Sequence, residues 1–217
     1  MSDEIKHECG LAYIRLRKPF SYYLQKYGSV TYGLNKLYLL MEKQHNRGQD
    51  GAGLATVKLN TEPGNPFLHR VRSNAPQPIA DLFFKIGQEI QELEKYQPDI
   101  KLHPGLMKGH LPFLGELLLG HLRYGTQGKN NVEFCHPFIK RNLAPGKNLA
   151  LAGNFNLVNT DELFDTIQMA PGDFQKQSDL AAMMEVIHHF LSLEDAAHPN
   201  QADISTVLKK ATPLFDG

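Results

Sequence analysis

Apolar positions along the chain fall into two rhythms. Gly10 to Leu16 is a short, almost unbroken apolar run, suited to a buried strand, that gives way at Arg17-Lys18-Pro19. From Tyr32 to Lys43 the spacing changes: Leu34, Leu37, Tyr38 and Met41 recur at three- and four-residue steps, which is one face of a helix. Leu54 to Leu59 returns to β character. Turn-forming Pro63-Gly64 and Asn65-Pro66 then lead into a partner strand over Phe67 to Arg72. Ile79, Leu82, Phe83, Ile86, Ile90 and Leu93 predict a second amphipathic helix that ends near Pro98. The Pro- and Gly-rich stretch from Asp99 to Pro112 reads as loop, and residues 74–112 as a surface elaboration with incidental histidines.

Glu116 to Leu122 predicts a further strand. Pro137 to Asn142 and Asn148 to Gly153, joined around Pro145-Gly146, predict a hairpin. Asn159, followed by Thr160-Asp161-Glu162, supplies a capping amide and first-turn acids for a helix running to about Met169. Ser178-Asp179 opens another, with Leu180, Met183, Met184, Ile187 and Leu191 facing inward. A last helix is predicted near Asp203 to Ala211.

Composition narrows the function. At 217 residues, 41% hydrophobic and 9% aromatic, the chain suits one large domain with ample core. Its 23 basic and 23 acidic residues cancel, so a nucleic-acid or anionic-membrane partner has no electrostatic footprint, and a small neutral or zwitterionic substrate fits better. No apolar run reaches the eighteen or so residues of a membrane span, and MSDEIKHE has no secretory hydrophobic segment. Two cysteines make neither a disulfide framework nor a four-cysteine metal site. The adjacent His188 and His189 point in different directions on one helix, so no metal site is expected; a reducing cytoplasm is the expected home.

Five stretches carry candidate chemistry. Cys9, in Glu8-Cys9-Gly10, would become residue one after cleavage before it. Its free α-amine, ordinarily near pKa 7.7 to 8.0, would then serve as base for its own thiol. The plain alternative is a small thiol buried at the start of a strand. The polar, glycine-dense run Gln44 to Gly53 lets backbone approach a ligand closely, or is an ordinary helix-to-strand turn. Arg123, at a strand end before Tyr124-Gly125-Thr126-Gln127-Gly128, can grip a carboxylate with its two-pronged guanidinium, or make a surface salt bridge. Amides and backbone N–H groups of Gly153-Asn154-Phe155-Asn156 can converge on a developing negative charge, and Asp179 can be a substrate partner or merely a favourable acid at a helix start.

Taken in order, Glu8-Cys9-Gly10, Gln44-His45-Asn46-Arg47-Gly48-Gln49-Asp50-Gly51-Ala52-Gly53, Gly120-His121-Leu122-Arg123-Tyr124-Gly125-Thr126, Asn154-Phe155-Asn156-Leu157 and Ser178-Asp179 resemble the class II glutamine amidotransferase domain, in the form found in amidophosphoribosyltransferases. The Arg-Gly-Gln-Asp wording favours that member over other amidotransferases. The resemblance spans roughly residues 9–59 and 116–192.

The resemblance implies an α+β fold, the four-layer αββα sandwich of the N-terminal-nucleophile hydrolases. Residues 1–8 would be a propeptide and 9–217 the amidotransferase domain, with an extra helical insertion around 74–112. It implies that Cys9 attacks the glutamine side-chain amide, that the Asn154 side chain and the Phe155 N–H form the oxyanion hole, and that Arg123 holds the substrate carboxylate. Thr126 would adjoin that grip, Asp179 would pair with the α-ammonium, and Arg47 and Gly48 would line the nucleophile's pocket. The phosphoribosyltransferase domain is absent from this chain. The family would supply it as partner, with Mg only there, no cofactor here, and homo-oligomers at full length. The ammonia would go to phosphoribosyl pyrophosphate in purine biosynthesis. Where the family usually shows His-Asn-Gly-Asn this chain has Gly153-Asn154-Phe155-Asn156. If that glycine needs positive φ, phenylalanine would cost about 1–2 kcal/mol there or turn its N–H elsewhere. A glutamine-binding module without catalysis, and a glutaminase serving another acceptor, are the alternatives.

Overall fold

A computed structural model describes residues 8–125, 131–166, 178–199 and 201–217. The chain divides into two compact units, Met1–Pro137 and Phe138–Gly217.

The first unit is built on an antiparallel sheet of β1 (Gly10–Arg15), β2 (Gly51–Val57), β3 (Leu68–Ser73) and β4 (Leu117–Arg123), in the order β1-β4-β2-β3. Alternation decides its faces. In β1, Gly10 and Ala12 are buried while Leu11, Tyr13 and Arg15 are exposed. The buried face, with Leu118, Leu122, Ala52 and Leu54, meets Leu34, Leu37 and Met41 of α2 (Tyr32–Glu42) and Ile79, Leu82 and Ile86 of α3 (Pro78–Tyr96) in one core. Each such large side chain, fully buried, contributes about 1.5–3 kcal/mol. Gly120 is where the helix comes closest: a Cβ there would lie 2.6 Å from the Met41 sulfur.

Two helices depart from the sequence expectation. Residues Phe20–Tyr27 form α1, although Phe-Ser-Tyr-Tyr is a weak helix former. Burial of Phe20 and Tyr23 and the stacking of Tyr23, Tyr27 and Tyr32 hold it, and Gly28 at φ 68° closes it. Within the stretch read as loop, Pro104–His110 form α4. Residues 74–112 are also not a surface elaboration. Ile79, Leu82, Ile86, Ile100, Met107 and Leu111 are all buried in the first unit's core, because short proline-interrupted turns hide a periodicity that packing completes.

The second unit contains the hairpin β5 (Phe138–Lys140) and β6 (Leu149–Leu151), then α5 (Thr160–Thr166), α6 (Asp179–Ala197) and α7 (Ile204–Ala211). A two-stranded hairpin this short is not stable alone. It is completed by α6, whose Leu180, Met184, Ile187 and Leu191 share a core with Phe138, Leu163, Phe164 and Val207. Lys140 pairs with Glu185, and Lys147 with Asp195 at 3.7 Å. Asp203 caps α7 by accepting the Ser205 N–H at 3.0 Å. Asn159 does not use its amide as the expected cap: Nδ2 donates to Leu214 O at 2.8 Å and Oδ1 accepts the Asp216 N–H, tying down the C-terminal segment. Each unit is thus a mixed sheet-and-helix body. The predicted continuation of α5 toward Met169 lies outside the described residues.

Candidate active site

Cys9 is half-buried, one residue ahead of β1. Gly10 pairs with Leu122, so continuing the register one residue outward puts Cys9 across from Arg123; on the other side Arg123 pairs with Gly51. Residues opposite one another in a sheet share a face, so the residue just ahead of β1, the last of β4 and the first of β2 bring the thiol, the guanidinium and a glycine to one edge. The Tyr124 N–H donates to the Cys9 sulfur at 3.5 Å.

The loop Gln44–Asp50 closes over this edge through its backbone. A Cβ on Gly48 would fall 2.7 Å from the carbonyl carbons of Leu122 and Arg123, so only glycine lets the loop lie on β4. The Asp50 N–H donates to Arg123 O at 3.0 Å, and its carboxylate accepts the Gly125 N–H at 2.8 Å. Gln44 reaches from the end of α2 to donate to Leu11 O at 3.1 Å, two residues past Cys9. Gly51 and Gly53, read from the sequence as loop, belong to β2. A Cβ on Gly53 would sit 1.9 Å from His136 O.

Arg123 is only 6% exposed, with its guanidinium 5.6 Å from the centre of the Phe134 ring. Arg47 is exposed and pairs with Glu8 at 3.6 Å, the residue that would precede the scission. Such an exposed pair holds weakly and is easily given up. Cys135 is a different kind of thiol: it is fully buried, points at Ser73 O at 3.6 Å, and has its pKa pushed up by burial. Between the two cysteines only Cys9 is placed to react.

Asn154, Phe155 and Asp179 belong to the second unit. Asn154 is exposed and Phe155 is half-buried, its ring folded back so that a Cβ on Gly153 would be 2.3 Å from the ring's far carbon. Among the described residues Asn60 alone combines a side chain with positive φ, so Phe155 does not adopt the left-handed backbone that a family glycine there would invite. Asp179, first residue of α6, accepts the Leu157 N–H at 3.1 Å through Oδ2 and the Thr160 hydroxyl at 3.2 Å through Oδ1. It therefore braces the turn that follows Asn154, a support that sequence reading missed because it joins residues 22 apart. Each carboxylate oxygen keeps a second lone pair for a cation.

Thr126 lies outside the described residues, as do residues 1–7. No described helix is long and apolar enough to cross a membrane, and among the described residues no group of three or more His, Cys, Asp or Glu side chains is placed to hold a metal ion.

No family model matches the chain. Among curated proteins it is 26% identical over 198 residues to the amidophosphoribosyltransferase of Methanothermobacter thermautotrophicus, an alignment covering 91% of this chain and 32% of that protein. It is 29% identical over 159 residues to the amidophosphoribosyltransferase of Bacillus subtilis, covering 72% and 25%. The chain thus spans about a quarter to a third of these relatives. Its fold resembles the solved glutamine phosphoribosylpyrophosphate amidotransferase of B. subtilis complexed with ADP and GMP, at a TM-score of 0.52 and 21% identity over 96% of this chain and 33% of that one. Similarity over most of its length, in sequence and in fold, supports the resemblance of this chain to the glutamine amidotransferase domain of the amidophosphoribosyltransferases.

Proposed function

We propose that this chain is the glutaminase part of an amidophosphoribosyltransferase-like enzyme, acting through a γ-glutamyl thioester on Cys9. The observation that carries the reading is the meeting of a half-exposed thiol, a backbone N–H directed at it and an arginine in register beside it, under a loop that only glycine allows to close.

With residues 1–8 removed, the Cys9 α-amine takes the thiol proton and the thiolate attacks the glutamine side-chain carbonyl carbon. The tetrahedral oxygen accepts from the Asn154 amide and the Phe155 N–H, as the family pattern assigns them. Collapse breaks the C–N bond, the α-ammonium returns the proton to the leaving nitrogen, and ammonia departs. Water, deprotonated by the same amine, then cleaves the thioester to glutamate and free thiol. Arg123 holds the substrate carboxylate and Asp179 its ammonium, one fixed charge for each end of a zwitterion. In this reading the chain has the four-layer αββα fold of the N-terminal-nucleophile hydrolases. The ammonia passes to phosphoribosyl pyrophosphate on a phosphoribosyltransferase domain, in a cytoplasmic, homo-oligomeric enzyme of purine synthesis. Thr126 and Arg47 adjoin the substrate, and Glu8 releases Arg47 on cleavage.

A second reading is favoured by Phe155, whose ring occupies the space beside Gly153. In it the chain binds glutamine without hydrolysing it. Glutamate release by the chain beginning at Cys9 separates the two. Hydrolysis that falls by about a thousandfold or more in Cys9→Ser, with a mass adduct mapped to Cys9 in the parent, carries the first reading. Protection of Cys9 from alkylation by glutamine with no glutamate formed carries the second. Unchanged hydrolysis in Cys9→Ser removes Cys9 from the mechanism.

A further inference from the structure

The far end of β2 holds a second set of charged groups, away from Gly51 and the Cys9 edge. After Val57 the chain enters the β2–β3 loop at Lys58, whose N–H donates to Phe67 O at 2.8 Å. Asn60 at φ 52° and Gly64 at φ 88° bend the loop around. Across it lies α4. Lys108 of α4 donates to Leu59 O and to Glu116 Oε1, the latter at 2.6 Å, while Glu116 Oε2 accepts the Leu59 N–H at 2.8 Å. Glu116 is thereby committed to Lys108 and to the loop backbone.

Between loop and α4 is a cavity of about 510 Å³ whose wall includes Lys58, Lys108, His69, His110 and Asn60. Its one carboxylate is Glu62, on the exposed turn. Lys58 is only 6% exposed, yet its ammonium forms no hydrogen bond or ion pair with a described residue. Burial first, and then the neighbouring Lys108 charge, lower its pKa; Glu116 opposes them only in part. A buried lysine is ordinarily paired or displaced toward water. Here the ammonium faces a cavity instead, with Glu116 already bound to Lys108 and Glu62 out on the exposed turn.

We propose that this cavity binds a small phosphate-bearing anion, held between the Lys58 and Lys108 ammoniums and the His110 ring, while His69 in the wall spends its Nε2–H on Pro66 O at 3.2 Å. The chemistry selects the class. Two ammoniums repel a metal ion, and donors arriving from a loop and from a facing helix suit a tetrahedral dianion better than a single planar carboxylate. The anion would restore the charge that Lys58 lacks and lock α4 to the β2–β3 loop. The site is independent of glutamine chemistry, so it stands or falls separately from the glutaminase reading.

The test uses the whole chain, titrated with inorganic phosphate and with glycerol 3-phosphate against sodium chloride of equal ionic strength. Both the melting temperature and the rate of lysine acetylation, mapped by mass spectrometry, are followed. A saturable rise in melting temperature with a phosphate probe is expected, together with a slowing of Lys58 acetylation by about threefold or more relative to the exposed Lys36. Lys58→Met keeps the buried stem and removes the charge, and should weaken phosphate binding by about tenfold or more. His110→Ala, at an exposed position, should weaken it by about twofold to fivefold without touching the core. Tighter binding of glycerol 3-phosphate identifies an ester as the natural ligand, and tighter binding of inorganic phosphate the free ion; either supports the site. Chloride matching phosphate, or Lys58→Met binding phosphate as tightly as the parent, overturns it.

Discussion

The two units hold their candidate residues by different means. In the first, Cys9 and Arg123 are fixed by strand register. Backbone pairing of β1, β4 and β2 sets their places, Gly48, Gly51 and Gly53 admit the backbone and side chains that crowd them, and the Asp50 carboxylate and Gln44 amide only tie down the covering loop. In the second, Asn154 and Phe155 lie on a turn outside any strand, braced from a distance by the Asp179 carboxylate. Register is shared among many hydrogen bonds and fails only when the sheet fails. A brace of two hydrogen bonds fails with one side chain, so the first edge should be intolerant of added bulk and the second of lost polarity.

The largest expected effect tests the first half of that contrast. In Gly53→Ala the new methyl would meet His136 O at 1.9 Å, and a backbone carbonyl has no rotamer through which to withdraw. A loss of about 3 kcal/mol or more in unfolding free energy is expected. Denaturant unfolding measures it. A variant within 1 kcal/mol of the parent would mean that the His136 segment yields freely and that register alone does not fix this edge.

A smaller effect sharpens the second half. Asp179→Ala removes both acceptors from the turn and should cost about 1–2 kcal/mol, with the Leu157 amide exchanging roughly tenfold faster. Asp179→Asn retains an acceptor oxygen without the charge. If the carboxylate also meets a substrate ammonium, the asparagine variant should keep most of the turn's protection and still raise the KM for glutamine by about tenfold or more. Equal losses of protection and affinity in both variants would reduce Asp179 to a brace.

This difference in construction also decided what the sequence could reveal. Cys9 and Arg123 were legible because each stands at the end of a periodic apolar run, and the run predicts where the strand edge is. The placement of Gly51 and Gly53 within β2 was not, since glycine carries no periodic signal and its reason lies in the carbonyl of His136 and the thiol of Cys135, both far along the chain. The fold of 74–112 was half legible. The α3 stripe announced a helix, but that Ile100, Met107 and Leu111 join the same core depends on a path that proline and glycine disguise. Asp179 was visible as a helix-start acid, while its bonds to Leu157 and Thr160, and the diversion of the Asn159 amide to Leu214 and Asp216, are tertiary choices among several equally good local partners.

The smallest effect uses pH to ask whether side-chain braces matter in the first unit too. At the end of β3, the buried Ser73 hydroxyl donates to Asp81 Oδ2 at 2.5 Å, and Lys85 reaches the same oxygen at 2.6 Å one helical turn on. The Lys85 hydrogen bond first, and then that of Ser73, lower the Asp81 pKa from its ordinary 3.8. A carboxylate whose folded pKa lies below the unfolded one favours the folded state fully above the unfolded value, and loses that contribution as pH falls through the folded value. The parent should therefore exceed Asp81→Asn by about 1 kcal/mol or less at neutral pH, since Lys85 is half exposed and screened. The advantage should shrink as acid passes below 3.8 and vanish once the folded carboxyl is protonated. Melting temperatures of both proteins from pH 7 to pH 2.5 decide it. A gap independent of pH would assign the effect to packing, and a gap larger than that of Asp179→Ala would mean that the first unit leans on braces as much as the second.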